Sequence, residues 1–160
     1  MDKDFINTCY KLYTALEKGS QIIAKYNSIP RKYGECKLFP VETHTIQKIG
    51  RHGKITTTQL AEEMGKTSSA VSQIIKKLKV HGLVKVEKNP QNNREQFISL
   101  NNLGEKIYIE HETLDNLIVE DFATTLQGIS QKDLEKYIEI QLQLNKKFEK
   151  NLQQLIKSTK

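Results

Sequence analysis

The stretch that most restricts the fold runs from Thr56 to Val86, TTTQLAEEMGKTSSAVSQIIKKLKVHGLVKV. It predicts two short helices, a tight turn between them and then a strand. Thr56 opens the first helix with Gln59 three residues on, so each side chain can reach the other's backbone N–H. Leu60, Ala61 and Met64 supply its apolar face, and Gly65 stops it at a left-handed cap. Thr67 opens the second helix, where Val71, Ile74, Ile75 and Leu78 fall on the core side. Gly82 ends it, and Leu83-Val84-Lys85-Val86 begins the strand. Helix, glycine turn and helix form a helix-turn-helix pattern, whose second helix enters a DNA major groove. The remaining face of that helix carries Thr67, Ser68, Ser69, Ser72, Gln73, Lys76 and Lys77 and no acid. A solvated helix favours Asp or Glu in its first turn, where the dipole stabilises them. Their absence suits a helix end that meets phosphate.

The rest of the chain fits around this stretch. The 160 residues suffice for one domain with its own core, and the net charge of +6 suits a polyanionic partner. No apolar run reaches membrane-spanning length, and the opening MDKDFINT lacks a signal peptide's apolar segment, so a cytoplasmic protein is expected. Two cysteines, Cys9 and Cys36, are too few for a disulfide scaffold.

Residues 3 to 28 read as a long helix with Phe5, Cys9, Leu12, Leu16, Ile23 and Tyr26 at helical spacing. Pro30 and Gly34 break it, and the stretch to Leu38 reads as a basic loop. Pro40 starts a second helix, with Ile46 and Ile49 facing inward. After Val86 the run KNPQNNREQ reads as a polar turn before Phe97-Ile98-Ser99-Leu100, which makes a hairpin, or wing. Residues 101 to 127 form another long helix, with Leu103, Ile107, Leu114, Ile118 and Phe122 in its stripe. Ser130 and Asp133 cap the last helix, where Leu134, Tyr137, Ile140, Leu144, Phe148, Leu152 and Leu155 recur at nearly coiled-coil spacing. Such a stripe on a small domain wants a partner. The expected fold is mainly α with an α+β core: one domain over 1–160, with a winged helix-turn-helix at 38–100. Residues 3–28 and 101–157 would be dimerisation helices in a two-fold homodimer that sets two recognition helices on successive grooves.

Taken together, these residues resemble the MarR-type family of multiple-antibiotic-resistance regulators. ITTTQLAEEMG, the TSSAVSQIIKKLKVHGLV run, Arg94 in the wing and Leu100-Asn101-Asn102-Leu103-Gly104 carry the resemblance. Family members usually place an acid near the wing tip and Leu-Thr-x-x-Gly after it. Here Asn89, Asn92 and Asn93 replace the acids and Asn101 the threonine, which bears on how the wing arginine is positioned. The resemblance implies dimeric, cytoplasmic, ligand-responsive repressors on short palindromic operators in double-stranded DNA.

Chemistry then suggests roles. Thr67, Ser68, Ser69, Ser72 and Gln73 suit base edges and phosphates, with Gln73 the best single reader of adenine. Lys76 and Lys77 suit phosphates. Arg94 suits a narrow minor groove.

Three inputs are open. His111 and Asp115 stand one turn apart on one helix face, and His44 could join them from the neighbouring element to hold Zn2+ or another divalent metal. In the zinc-sensing branch of the family, histidines sit at positions that look equivalent to His44 and His111, with a third where this chain has Asp115. Cys36 or Glu42 could complete such a shell. Otherwise the histidines are hydrogen-bonded, half-buried residues. Cys9 with Tyr13 four residues on resembles the first helix of peroxide-sensing members, in which a hydroxyl supports a thiolate. A small aromatic or phenolic effector between Tyr10, Tyr13, Tyr26 and Tyr108 is the third.

No Ser/His/Asp arrangement, phosphate-binding glycine loop or metalloprotease pattern points to an enzyme. A winged helix that binds protein is the closer alternative. Against it, eight basic residues from Lys54 to Arg94 (Lys54, Lys66, Lys76, Lys77, Lys79, Lys85, Lys88 and Arg94) face only Glu62, Glu63, Glu87 and Glu95.

Overall fold

The computed structural model describes residues 2–159 except Gln91, and of Asn93 and Arg94 the backbone alone. It divides into two compact units, Met1–Asn116 and Leu117–Lys160. The first contains α1 (Lys3–Asn27), the hairpin of β1 (Arg31–Tyr33) and β2 (Cys36–Leu38), α2 (Pro40–His52), β3 (Ile55–Thr56), α3 (Thr57–Met64), α4 (Ser68–Val80), β4 (Val84–Asn89) and β5 (Asn92–Leu100). α5 (Asn102–Thr125) follows, and α6 (Gln131–Ser158) lies in the second unit. The fold is the expected mainly helical winged helix with long terminal helices.

Three strands form the wing sheet in the order β3-β5-β4, all antiparallel. Ile55 pairs with Ile98 and Val84 with Leu100, which points buried side chains from all three strands into one core. The polar run expected as a turn is mostly strand. β4 continues to Asn89 and β5 begins at Asn92, with a register irregularity between Lys88 and Asn89. Backbone pairing holds an exposed two-stranded ribbon without apolar side chains, so the polar composition concealed it.

The stretch expected as a basic loop is the β1–β2 hairpin, paired Arg31 to Leu38 and Tyr33 to Cys36. Gly34 makes the turn at a φ of 55°, which favours glycine. Tyr33 and Leu38 are buried while Lys32 and Lys37 are exposed, the alternation of a half-buried strand.

All fifteen buried hydrophobic residues among those described lie between Tyr33 and Ile107. Ile46, Ile49, Leu60, Val71, Leu78, Leu83 and Ile98 are fully enclosed, each stabilising the fold by about 1.5–3 kcal/mol relative to exposure. Two glycines set the distance between α5 and its neighbours. A Cβ on Gly50 would meet the Tyr108 ring at 2.7 Å, and one on Gly104 would overlap the Leu83 carbonyl. Asn101, where the family usually has threonine, accepts from the backbone N–H groups of Leu103 and Gly104 at 3.1 and 3.0 Å and donates to the Gly82 carbonyl. It is a working cap for α5 and a tie to the end of α4.

α1 and α6 differ in kind. Neither contains a buried residue. Phe5, Tyr10 and Ile22 on α1, and Tyr137, Phe148 and Leu155 on α6, are exposed. Ser130 caps α6 as expected, accepting from the Asp133 N–H at 3.1 Å. Leu103 and Phe122, expected in the stripe of α5, are also exposed.

Candidate nucleic-acid interface

α4 is anchored on one side and bare on the other. Val71, Ile75 and Leu78 are buried against the sheet and α3, while Ser68, Ser69, Ser72, Gln73, Lys76 and Lys77 are all exposed. Its start is fixed by Thr67, whose Oγ1 accepts from the Ala70 N–H at 3.2 Å, and no acid occupies the first turn. α3, which supports it, starts at the expected Thr56–Gln59 cap: Thr56 Oγ1 accepts from the Gln59 N–H (3.2 Å), and Gln59 Oε1 accepts from the Thr56 N–H (3.1 Å). Gly65 ends α3 in the left-handed conformation. Glu63 on α3 binds His52 at 2.6 Å and Lys48 at 3.5 Å, both on α2. These contacts hold the turn that aims α4.

Beside α4, on the wing side, lies a groove that sequence reasoning missed. A cavity of about 300 Å³ is lined by Thr57, Thr58, Ser68, Ser72, Lys88, Glu95 and Gln96. A second of about 240 Å³ shares Thr57, Ser72 and Gln96 with it and continues to Lys76 and Lys79. Lys88, Glu95 and Gln96 reach it only because the wing strands extend through the polar run. Arg94 lies on β5, and its side chain is outside the described residues.

The proposed metal residues come partly together. His111 on α5 is 2% exposed, with Nδ1 2.9 Å from the Tyr33 hydroxyl. Its Nε2 has no hydrogen-bond partner and stands 3.8 Å from Asp115 Oδ2. That same oxygen accepts from Gln47 Nε2 at 2.7 Å. The His44 ring lies 5.5 Å from the His111 ring, centroid to centroid, and His44 is exposed rather than half-buried. Burial pushes the His111 pKa below its ordinary value, and the nearby Asp115 carboxylate partly offsets this. Glu42 is engaged elsewhere, accepting from the Phe39 N–H at 2.8 Å as part of the cap of α2. Among the described residues no three His, Cys, Asp or Glu side chains stand close enough together to hold a metal ion. His111 and Asp115 offer two donor groups, and His44 would have to turn toward the pair to supply a third.

Against known proteins, residues 38–96 match the model of the MarR family. The likeness to that family is carried by the winged core alone. Proteins of this family are transcription regulators and not enzymes. Among solved structures, FabT of Streptococcus pneumoniae in complex with DNA is 21% identical, with a TM-score of 0.65 over 93% of this chain and 99% of that one. The zinc-responsive MarR family member ZitR of Lactococcus lactis is 17% identical, with a TM-score of 0.67 over 86% of this chain and 99% of that one. The MarR family transcription regulator SP03579 is 18% identical, with a TM-score of 0.75 over 92% and 97%. At these identities the likeness concerns the fold. No curated protein matches the chain.

Within this fold the other sensing candidates sit apart. Cys9 and Tyr13 are both exposed on α1. Tyr10 and Tyr26 are exposed too, and Tyr26 takes a hydrogen bond from Arg31. Tyr108 instead covers Gly50. A cavity of about 330 Å³ beside His44 is lined by Val41, Lys48, Glu63 and Met64 among others, and by none of these tyrosines. No described helix is long and apolar enough to cross a membrane.

Proposed function

We propose that this chain is a MarR-family transcription regulator and acts as a repressor, a homodimer that binds a palindromic operator in double-stranded DNA with one α4 in each major groove. The observation that carries the reading is the α4 surface: seven polar or basic residues from Thr67 to Lys77 around a buried apolar side, with no acid in the first turn. The exposed apolar residues of α1 and α6 support the dimer. Gln73 reads a base, and Lys76 and Lys77 bind phosphates. Arg94 is proposed for the minor groove on its place in β5. Binding to random duplex DNA at rising salt tests the reading: affinity should fall steeply with salt, and less steeply for Lys77→Ala. A winged helix that binds only protein would ignore the duplex.

The proposed input is a divalent cation at His111 and Asp115, completed by His44. The orphaned His111 Nε2 favours it over a purely structural histidine, since a buried nitrogen without a partner is costly. A bound cation would supply the missing partner and tie α5 to α2. Zinc titration against a competing chelator should show weaker binding in His44→Ala and His111→Ala, and loss of binding as pH falls through the histidine range. Equal affinity in all three proteins would remove the site. Peroxide sensing through Cys9 is the alternative input, and it predicts a Cys9→Ser protein whose DNA binding no longer responds to peroxide.

A further inference from the structure

The wing-side groove contains one group that does not belong in a surface built only to attract DNA. Glu95 lies on its wall, in the same cavity as Thr57, Thr58, Ser68, Ser72 and Lys88. Glu95 is only partly exposed, and its Oε2 accepts from Asn89 Nδ2 at 3.1 Å. Asn89 is itself 7% exposed, seated at the register irregularity of β4. The carboxylate is therefore held in place rather than free to swing into solvent.

We propose that this groove seats a phosphodiester of the bound duplex, gripped by Lys88 and the Thr58 hydroxyl, and that the fixed Glu95 carboxylate lowers affinity for every duplex. The inference rests on the DNA-binding reading of α4 and adds a second contact line to it. The groove runs along the side of α4 that faces the wing, with Lys76 and Lys79 on its continuation. A strand whose bases meet Ser68, Ser72 and Gln73 must carry its backbone past one flank of that helix, and here the flank offers hydroxyls, an amide and lysines.

Charge decides what Glu95 does there. A phosphate beside Lys88 gains attraction, and one beside Glu95 meets repulsion that screening reduces but does not abolish within a Debye length of about 8 Å. A DNA-binding surface gains affinity for every duplex from each added cation. A carboxylate placed at the phosphate track lowers affinity for every duplex alike, so tight binding needs the added base contacts of Gln73 and its neighbours. The ratio between operator and random duplex is unchanged, because both carry the same penalty. Asn89 is a positioning residue in this arrangement, because it holds the carboxylate against the groove.

The test measures binding of the full-length protein to random-sequence duplex DNA by fluorescence anisotropy between 50 and 200 mM salt. Wild type is compared with Lys88→Ala, Thr58→Val, Glu95→Gln, Asn89→Ala and the α4 control Lys77→Ala. Lys88→Ala should lower the salt slope by about one, which amounts to about fourfold over that range. Thr58→Val should weaken binding without changing the slope. Glu95→Gln should tighten binding to random duplex and raise the slope, and Asn89→Ala should act in the same direction more weakly. If Lys77→Ala weakens binding while Lys88→Ala and Glu95→Gln match wild type, the groove does not touch DNA and the α4 reading stands. If wild type binds no duplex, both fall. A Glu95→Gln protein that binds random duplex more weakly would overturn the brake, and a folded circular-dichroism spectrum for each variant keeps these outcomes apart from misfolding.

Discussion

The winged core and the terminal helices obey different rules although one chain makes both. All fifteen buried hydrophobic residues among those described lie between Tyr33 and Ile107, whereas α1 and α6 bury none. Both regions have helical apolar periodicity, so the pattern alone does not distinguish them. What distinguishes them is a partner within the chain. α4 packs against α3 and the sheet, while α1 and α6 keep Phe5, Tyr10, Phe148 and Leu155 exposed. The core is complete as a monomer, and the terminal helices are complete only in the proposed homodimer. Under the proposed function, specificity would belong to the first region and valency to the second.

The largest effect should come from breaking the second region alone. Phe148→Asp with Leu152→Asp should leave the core folded and give monomers by sedimentation. Losing simultaneous engagement of two half-sites should cost on the order of 10²- to 10⁴-fold in operator affinity. A wild type that sediments as a monomer at micromolar concentration would erase the contrast between the regions.

Truncations in the two regions sharpen it. Leu78→Ala, in the core, should cost about 2–5 kcal/mol in denaturant unfolding. Leu142→Ala, on exposed α6, should cost no more than about 0.5 kcal/mol in the monomeric double variant, as surface substitutions do. In the dimer it should cost more and depend on protein concentration. Equal losses at both positions in the monomer would show that α6 is already packed within its own chain.

Smaller effects divide the DNA face. Gln73→Ala should cost about 1–3 kcal/mol at the operator and relax preference at one base pair. Lys77→Ala should weaken every duplex alike and lower the salt slope by about one. An unchanged specificity profile for Gln73→Ala would move base reading to another residue of α4.

Much of the core was readable because local chemistry announces it. The Thr56 cap, the left-handed Gly65, the Thr67 cap and the Val71-Ile75-Leu78 side of α4 all stand where the residues predict. Two strand regions were not readable. Tyr33 is among the most deeply buried side chains, yet it sits in a basic run whose three-residue strands are too short for periodicity to register. The one available signal was the alternation around Gly34. The wing's polar residues hid strands held by backbone pairing, and with them the groove that Lys88, Glu95 and Gln96 line. Of the inner polar set, the i, i+4 spacing of His111 and Asp115 was legible. The engagement of Tyr33 and Gln47 was not, because both come from elements distant in sequence.

The central claim is that a two-fold pair of α4 helices reads DNA, and selection from a random duplex library with purified wild-type protein tests it most directly. The account predicts enrichment of an inverted repeat whose half-sites lie about 10–10.5 base pairs apart, centre to centre. Enrichment of a single half-site would contradict the dimer. No enrichment over the input library, at low salt and with or without zinc, would contradict DNA reading by α4 altogether.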